Sequence, residues 1–205
     1  MSSTRRLGTE TSKTRATLLD AAERLMLDEG YAAVTSRRVA ARAGLKPQLV
    51  HYYFRTMDDL FLAAYRRRAE QGLERLTQAL GSAQPLWALW DLSRDPRGTA
   101  LTMEFVALAN HRKSMRAEIA VSAERFRREL HQGVAAVLEG YGVDNEVTPP
   151  IVSAVLMTGI AQILVIEEVS LGMSTGHPET VAFVEGLLAR LEGSRRIDPA
   201  HLTSV

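Results

Sequence analysis

Residues 35–54 read TSRRVAARAGLKPQLVHYYF, and the local chemistry of this stretch decides the architecture expected of the whole chain. Thr35 is a good N-cap, because its hydroxyl accepts one of the backbone N–H groups that a helix start leaves unpaired. Ser36–Ala43 then reads as a short helix with Val39, Ala40 and Ala43 on one side. Gly44 enters a left-handed turn without steric penalty. Leu45 is an apolar plug, and Pro47 has the fixed φ suited to the first turn of a second helix. That helix runs to about Phe54, with Leu49, Val50, Tyr53 and Phe54 available to pack inward. Two short helices joined by a tight glycine-containing turn form a helix-turn-helix, whose second helix enters a DNA major groove. A generic two-helix hairpin shares the spacing, so the flanking text has to discriminate.

Upstream, Lys13–Glu29 is expected to be helical, with Leu18, Ala22, Leu25 and Met26 at the spacing of a buried stripe and Gly30 as its C-cap. Downstream, Thr56, Met57, Asp58 and Asp59 have the form of a capping box with two acids in the first turn. A long helix follows to about Leu80, carrying Arg66, Arg67 and Arg68, which read either as a solvated face or as groups near DNA. The succession TRATLLDAAERLMLDEGY, VTSRRVAARAGL, a short helix ending HYYF, and RTMDDLF resembles the TetR family of transcriptional repressors over roughly residues 13–65. Beyond that point the likeness is one of architecture only.

The 205 residues suffice for one large domain or two small ones, and 46% hydrophobic with 24% charged residues is ordinary for a globular chain. No cysteine is present, which excludes disulfides, thiolate metal sites and cysteine nucleophiles. The opening MSSTRRLGTETSKTR has no apolar h-region, so a cytoplasmic protein is expected. The net charge of +1 is unevenly placed. Residues 1–56 carry ten Lys and Arg against five Asp and Glu, and the remaining fifteen basic and nineteen acidic residues leave that part at −4. A basic head and a mildly acidic body fit a protein that meets a polyanion at one end.

Residues 1–12 are polar and aperiodic and are expected to be a disordered basic arm; Arg5, Arg6, Lys13 and Arg15 either follow phosphates or enter a minor groove, or belong to a solvated tail. Past a break at 81–85, helices are expected at about 86–94, 97–111, 113–139, 150–171 and 178–192, punctuated by Asp95-Pro96, Gly140-Tyr141-Gly142, Thr148-Pro149-Pro150 and Gly176-His177-Pro178. No segment alternates with period two, so an all-α fold is expected: a three-helix DNA-binding head at 13–60, a helical effector-binding and dimerisation domain at 61–193, and a flexible tail at 194–205. Residues 150–166 are apolar nearly all round and at the short limit of a membrane span. Ser153, Thr158, Gln162, the pair Glu167-Glu168 and the lack of a basic flank favour a helix buried on several sides of a bundle. The TetR resemblance implies a homodimer through the last two long helices, where Val181, Val184, Leu188 and Leu191 form a stripe and Gly159 and Ala161 permit close approach.

The resemblance also implies roles for residues of the head. Lys46, Pro47 and Gln48 fall at the base-reading end of the second helix, and Arg37 is placed to reach a base. Gln pairs bidentately with adenine, Lys donates to guanine, and a proline ring meets a thymine methyl. Thr35, Ser36, Leu49, His51, Tyr52 and Tyr53 fall at positions that in the family meet phosphate or sugar, Tyr52 being placed to touch a base as well, while Tyr53 and Phe54 are better suited to packing within the head than to DNA contact. Three departures alter the expected operator. Lys46 stands where Ser is usual, removing a side-chain cap; Leu49 cannot donate a hydrogen bond; and Met57 replaces a common phosphate-binding Lys, for which Arg55 is the available substitute.

The effector pocket implied among the middle helices has Trp87, Trp90, Met103, Phe105, Phe126 and Met157 as candidate lining, with Glu104, His111 and Gln162 as polar contacts. Such a lining points to a hydrophobic or amphipathic ligand, and ordinary core packing is the competing reading for each residue. No HExxH, glycine-rich phosphate loop or GxSxG occurs, and His51, His111, His131, His177 and His201 lack metal-ligand spacing, so neither an enzyme nor a cofactor is expected. The expected function is therefore a ligand-released repressor that binds a palindromic DNA operator as a two-fold dimer. The alternatives are a ligand-binding dimer that no longer reads DNA and an activator on the same scaffold.

Overall fold

The structure, a computed structural model, describes residues 13–196. The expected arm at 1–12 and the end of the expected tail, 197–205, lie outside the described residues. Within them are nine α-helices and no strand: α1 Lys13–Glu29, α2 Ser36–Ala43, α3 Pro47–Tyr53, α4 Met57–Leu80, α5 Pro85–Ser93, α6 Pro96–His111, α7 Lys113–Gly140, α8 Pro150–Val165 and α9 His177–Glu192. One turn of 3-10 helix, Tyr31–Ala33, joins α1 to α2, and one π turn, Ile166–Ser170, extends α8.

Over its described residues the chain packs as two units, residues 13–71 with 100–124 and residues 72–99 with 125–196. α4, α6 and α7 each contribute residues to both units.

The first unit closes over Leu18, Leu25 and Met26 of α1, Val39 of α2, Val50 of α3, Phe54, Leu60 and Phe61, with Phe105, Leu108 and Met115 completing the same core. Each member of the arginine triplet of α4 reaches a different helix of this unit, while Arg66 keeps 62% of its side chain exposed. Arg66 meets Glu118 of α7 at 2.6 Å, Arg67 meets Asp20 and Glu23 of α1 at 2.7 and 2.8 Å, and Arg68 donates to Thr102 of α6 at 3.2 Å. Arg112 adds an ion pair to Asp58 and lies over the ring of Phe61.

The second unit is built on Leu76, Trp87, Leu89, Trp90, Leu130, Val134, Leu138, Ala154, Ala161, Leu164, Val184 and Leu188. Its α5 begins without a side-chain cap of its own. Glu192 supplies one from the far end of the chain, accepting from Leu86 N at 2.8 Å and Trp87 N at 3.0 Å. Gln84 Nε2 donates to the carbonyls of Glu192 and Ser194, Arg196 N donates to Gln84 Oε1, and Arg195 pairs with Asp91. Residues 194–196 are therefore fastened to α5, correcting the expectation that the free tail starts at 194.

Pro150–Ser170 is long and apolar enough to cross a membrane by length and composition, yet only 28% of its apolar window is buried against the rest of the chain. This differs from a helix buried on several sides. Only Pro150, Ala154, Ala161, Leu164 and Val165 of α8 are buried, leaving Val152, Val155, Leu156 and Ile163 exposed. The expected single helix to 171 also changes character at Ile166, where a wider π turn is accompanied by contact between Glu167 and His177 Nε2 at 2.9 Å.

Glu192 also accepts from the Tyr141 hydroxyl at 2.7 Å; burial, then this bond and the carboxylate charge, push the phenol up to about 12. A phenol that holds its proton more tightly folded than unfolded contributes fully below its unfolded value of about 10, and the contribution vanishes as pH rises through the folded value. Urea unfolding between about pH 9 and 12 is expected to show a steeper loss of stability for the native chain than for Tyr141→Phe, with the two converging at the alkaline end.

Candidate nucleic-acid interface

The helix-turn-helix is held by caps that its own residues provide. Arg38 N donates to Thr35 Oγ1 at 3.3 Å, opening α2. Gly44 closes it in the left-handed region, φ 67° and ψ 29°, with Gly44 N bonded to the Ala41 carbonyl and Leu45 N to that of Ala40. This is a Schellman-type ending, which only glycine adopts without strain. α3 then starts on Pro47, and Lys46 at its N-cap makes no side-chain capping bond, as the replacement of Ser implied. Thr56 and Asp59 form the reciprocal capping box, Thr56 N to Asp59 Oδ2 at 3.0 Å and Asp59 N to Thr56 Oγ1 at 3.1 Å, so α4 begins immediately behind the motif.

The faces of α3 divide cleanly. Val50 and the following Phe54 are buried, while Leu49 and Tyr53 are half-buried. Lys46, Pro47, Gln48, His51 and Tyr52 are exposed, and their i, i+1, i+4, i+5 spacing places Pro47, Gln48, His51 and Tyr52 on one helical face. Arg37 and Thr35 are exposed at the start of α2, with Ser36 half-buried. Tyr53 packs edge-on to Tyr52, with ring centroids 5.1 Å apart, and Arg15 lies over the Phe54 ring at 5.2 Å. The side chains suited to base edges and phosphates thus share an outward surface, while the apolar ones anchor α3.

Two residues outside this set fix the motif. Arg38 bonds to Glu29, whose carboxyl is held below its ordinary value by that hydrogen bond, and Arg42 pairs with Asp28 at 2.6 Å. A legible signal existed in the adjacent acids ending α1 and two arginines four residues apart on α2. These exposed pairs orient α2 more than they stabilise it, since isolated surface ion pairs contribute at most about 1 kcal/mol.

The candidate pocket residues are distributed over both units. Trp87 and Trp90 are buried in the second core, and Phe126 and Met157 pack against it. The indole of Trp87 donates to the Gly193 carbonyl at 3.1 Å, and that of Trp90 to Glu185 at 3.4 Å. Gln162 is exposed in that unit. In the first unit Phe105 stacks edge-on against Tyr65 at 5.2 Å, Met103 and His111 are exposed, and Glu104 accepts from Tyr31 N at 2.6 Å. A cavity of about 480 Å³ among the described residues lies in the first unit, between Arg15 of α1, Tyr53 and Phe54, and Leu62 and Ala63 of α4. It includes none of the candidate effector contacts.

Comparison with known proteins agrees with this geometry. Residues 18–64 match the model of the family described as bacterial regulatory proteins, tetR family. A curated relative, the HTH-type transcriptional regulator BetI of Rhizobium meliloti (strain 1021), is 28% identical over 132 residues, covering 60% of this chain and 65% of the relative. The match thus spans just under two thirds of the relative's length.

Among solved structures, a TetR transcription regulator from Haloarcula marismortui superposes with a TM-score of 0.68 at 20% identity, covering 86% of this chain and 96% of that one. A protein from Saccharomonospora viridis in complex with choline gives 0.70 at 20%, covering 85% and 97%. The regulator FadR of Bacillus subtilis in complex with stearoyl-CoA gives 0.62 at 16%, covering 88% and 99%. At these identities the structures show a common fold and nothing finer. Residues 18–64, which carry the capped helix-turn-helix, thus match the tetR family of bacterial regulatory proteins, and the all-helical fold around them is shared with solved structures of such regulators.

Proposed function

We propose that the chain is a cytoplasmic transcriptional repressor that binds a palindromic DNA operator as a two-fold homodimer and is released by a small hydrophobic or amphipathic effector. The observation that carries the reading is the outward face of α3, where Pro47, Gln48, His51 and Tyr52 stand exposed next to Lys46 on a helix otherwise anchored in a core. A head that had ceased to read DNA has no need to keep Arg37, Lys46 and Gln48 on its surface. In this reading Lys46, Pro47, Gln48 and Arg37 face base edges, and Thr35, Ser36, Leu49, His51, Tyr52 and Tyr53 position the backbone. Repression follows if the operator overlaps a promoter, and the same contacts activate where it lies upstream.

The dimer is supported by the second unit. Val152, Leu156 and Ile163 of α8 and Phe183, Leu187 and Leu191 of α9 are all exposed, Phe183 by 65%, whereas Val184, Leu188 and Ala161 of the expected seam are buried in the subunit's own core. Apolar stripes of that kind on two helices are the ordinary substance of a homodimer interface. A two-fold pair reads half-sites about 34–36 Å apart, or a multiple of that. An effector acts if it prefers the dimer whose heads are out of register, because only differential affinity shifts a two-state equilibrium. Trp87, Trp90, Phe126 and Met157 are the proposed lining within the second unit, with Met103, Glu104, Phe105 and Gln162 the remaining candidates. The choline and stearoyl-CoA bound by proteins of this fold show that it admits chemically different ligands, so an effector screen must cover both cationic and acyl compounds.

Titration of the purified protein against DNA flanking its own coding region, over a range of salt, tests the reading. Tight selective binding with a steep salt slope is expected; equal weak binding to every duplex of a random-sequence selection contradicts it. On the selected operator, Gln48→Ala is expected to lose about 1–3 kcal/mol and to relax preference at one base position. Thr35→Ala is expected to weaken all sequences alike, and identical behaviour of the two variants refutes the division into readers and positioners. Phe183→Glu is expected to weaken dimerisation about 30-fold or more, the loss typical of a buried aromatic anchor, measured by sedimentation or light scattering against concentration.

A further inference from the structure

We propose that Glu104 is a positioning residue for DNA recognition: from α6, its carboxylate caps the turn that passes the chain from α1 into the helix-turn-helix. The local sequence creates the need. Gly30 ends α1 with φ 80° and ψ 161° and has no side chain with which to cap the 3-10 turn Tyr31–Ala33 that follows. The first N–H groups of such a turn have no partner within it. Tyr31 N finds one 73 residues away, donating to Glu104 Oε2 at 2.6 Å. A Cβ placed on Gly30 would lie 3.6 Å from the same oxygen, so the carboxylate rests directly against the glycine.

The turn it grips is short and stiff. Ala33 N bonds to the Gly30 carbonyl and Val34 N to that of Tyr31, both at 3.1 Å, and Val34 is buried. Thr35 comes next, and its carbonyl accepts the first bond of α2, from Val39 N at 2.8 Å. A shift of residue 104 against the head must therefore break a charge-assisted hydrogen bond or carry the start of α2 with it. Glu104 is not needed to seat its own helix, since Leu101, Phe105 and Leu108 of α6 are buried in the core of the first unit. Its polar contact is thus separable from packing, and it touches the covalent connection that leads from α1 into α2. Because coupling between sites is reciprocal, DNA held at α2 and α3 must also alter the environment of α6 around residue 104.

The proposal rests on the DNA-binding reading, and its test separates the two. A duplex selected from a random pool by the full-length protein is used as the probe, and amide hydrogen exchange is followed by mass spectrometry with and without it. In the native chain, DNA is expected to raise protection at residues 36–54, at 31–35 and, through Glu104, at 100–108. Glu104→Ala is expected to keep the response at 36–54, lose it at 100–108, and bind the duplex about fivefold or more weakly, the lower end of coupling between linked sites. Glu104→Gln, which retains an acceptor oxygen, is expected to recover the response at 100–108 and guards against a fold defect in the alanine variant. An α6 response that is absent in the native chain, or unchanged in Glu104→Ala, overturns the proposal, even if that variant melts at a lower temperature. Failure to select any duplex that protects 36–54 instead removes the DNA-binding reading and this proposal with it.

Discussion

A helix of seven residues cannot hold itself together in water. Nucleation fixes several dihedrals for one hydrogen bond, and isolated helices below about 12–15 residues are marginal even with favourable composition. α3 spans only Pro47–Tyr53, so every feature around it serves to impose from outside what its own backbone cannot maintain. Val50 and Phe54 sink into the core that α1 and α4 provide. The left-handed Gly44 fixes the angle at which α2 delivers the chain, and the Thr56–Asp59 box starts a long helix directly after α3 ends. Four of the seven residues of α3, Pro47, Gln48, His51 and Tyr52, thereby remain on the surface.

The same economy appears in how helix starts are closed. Among the described helix starts that lack a capping side chain, two are closed from a distance, the 3-10 turn after Gly30 and α5 after Gln84. In both a glutamate from a distant helix supplies the missing acceptor, Glu104 to Tyr31 and Glu192 to Leu86 and Trp87. A cap from nearby only ends a helix. A cap from far away also fixes two pieces of chain relative to each other, and it lets go when either piece moves.

Legibility in the sequence follows the range of the interactions. Thr35, Gly44, Pro47, Thr56 and Asp59 declare themselves because each acts on backbone within a few residues, and the structure places all of them as caps or first-turn residues. Burial of Leu18, Ala22, Leu25 and Met26 is readable from helical spacing alone. The partners of Arg66, Arg67 and Arg68 are not, since three like charges in a row look the same whether solvated or clamped; only the arrival of α1, α6 and α7 decides. Glu104 interrupts an apolar run and so reads equally as a ligand contact or as a surface residue, and the backbone N–H it accepts from leaves no trace in the sequence. The fastening of residues 194–196 and the π turn at Ile166 escape for the same reason. The outward face of α3 is readable because apolar and polar positions alternate there at helical spacing.

The arginine triplet has a further bearing on how α4 can move. Successive residues of an α-helix point about 100° apart, so Arg66, Arg67 and Arg68 fan across more than half the circumference of the helix toward α7, α1 and α6. Spinning this part of α4 about its axis lengthens at least one of the three contacts whichever way it turns. Sliding along the axis shifts all three together, within the reach of long, flexible side chains. The three contacts therefore oppose rotation of the first half of α4 in either direction.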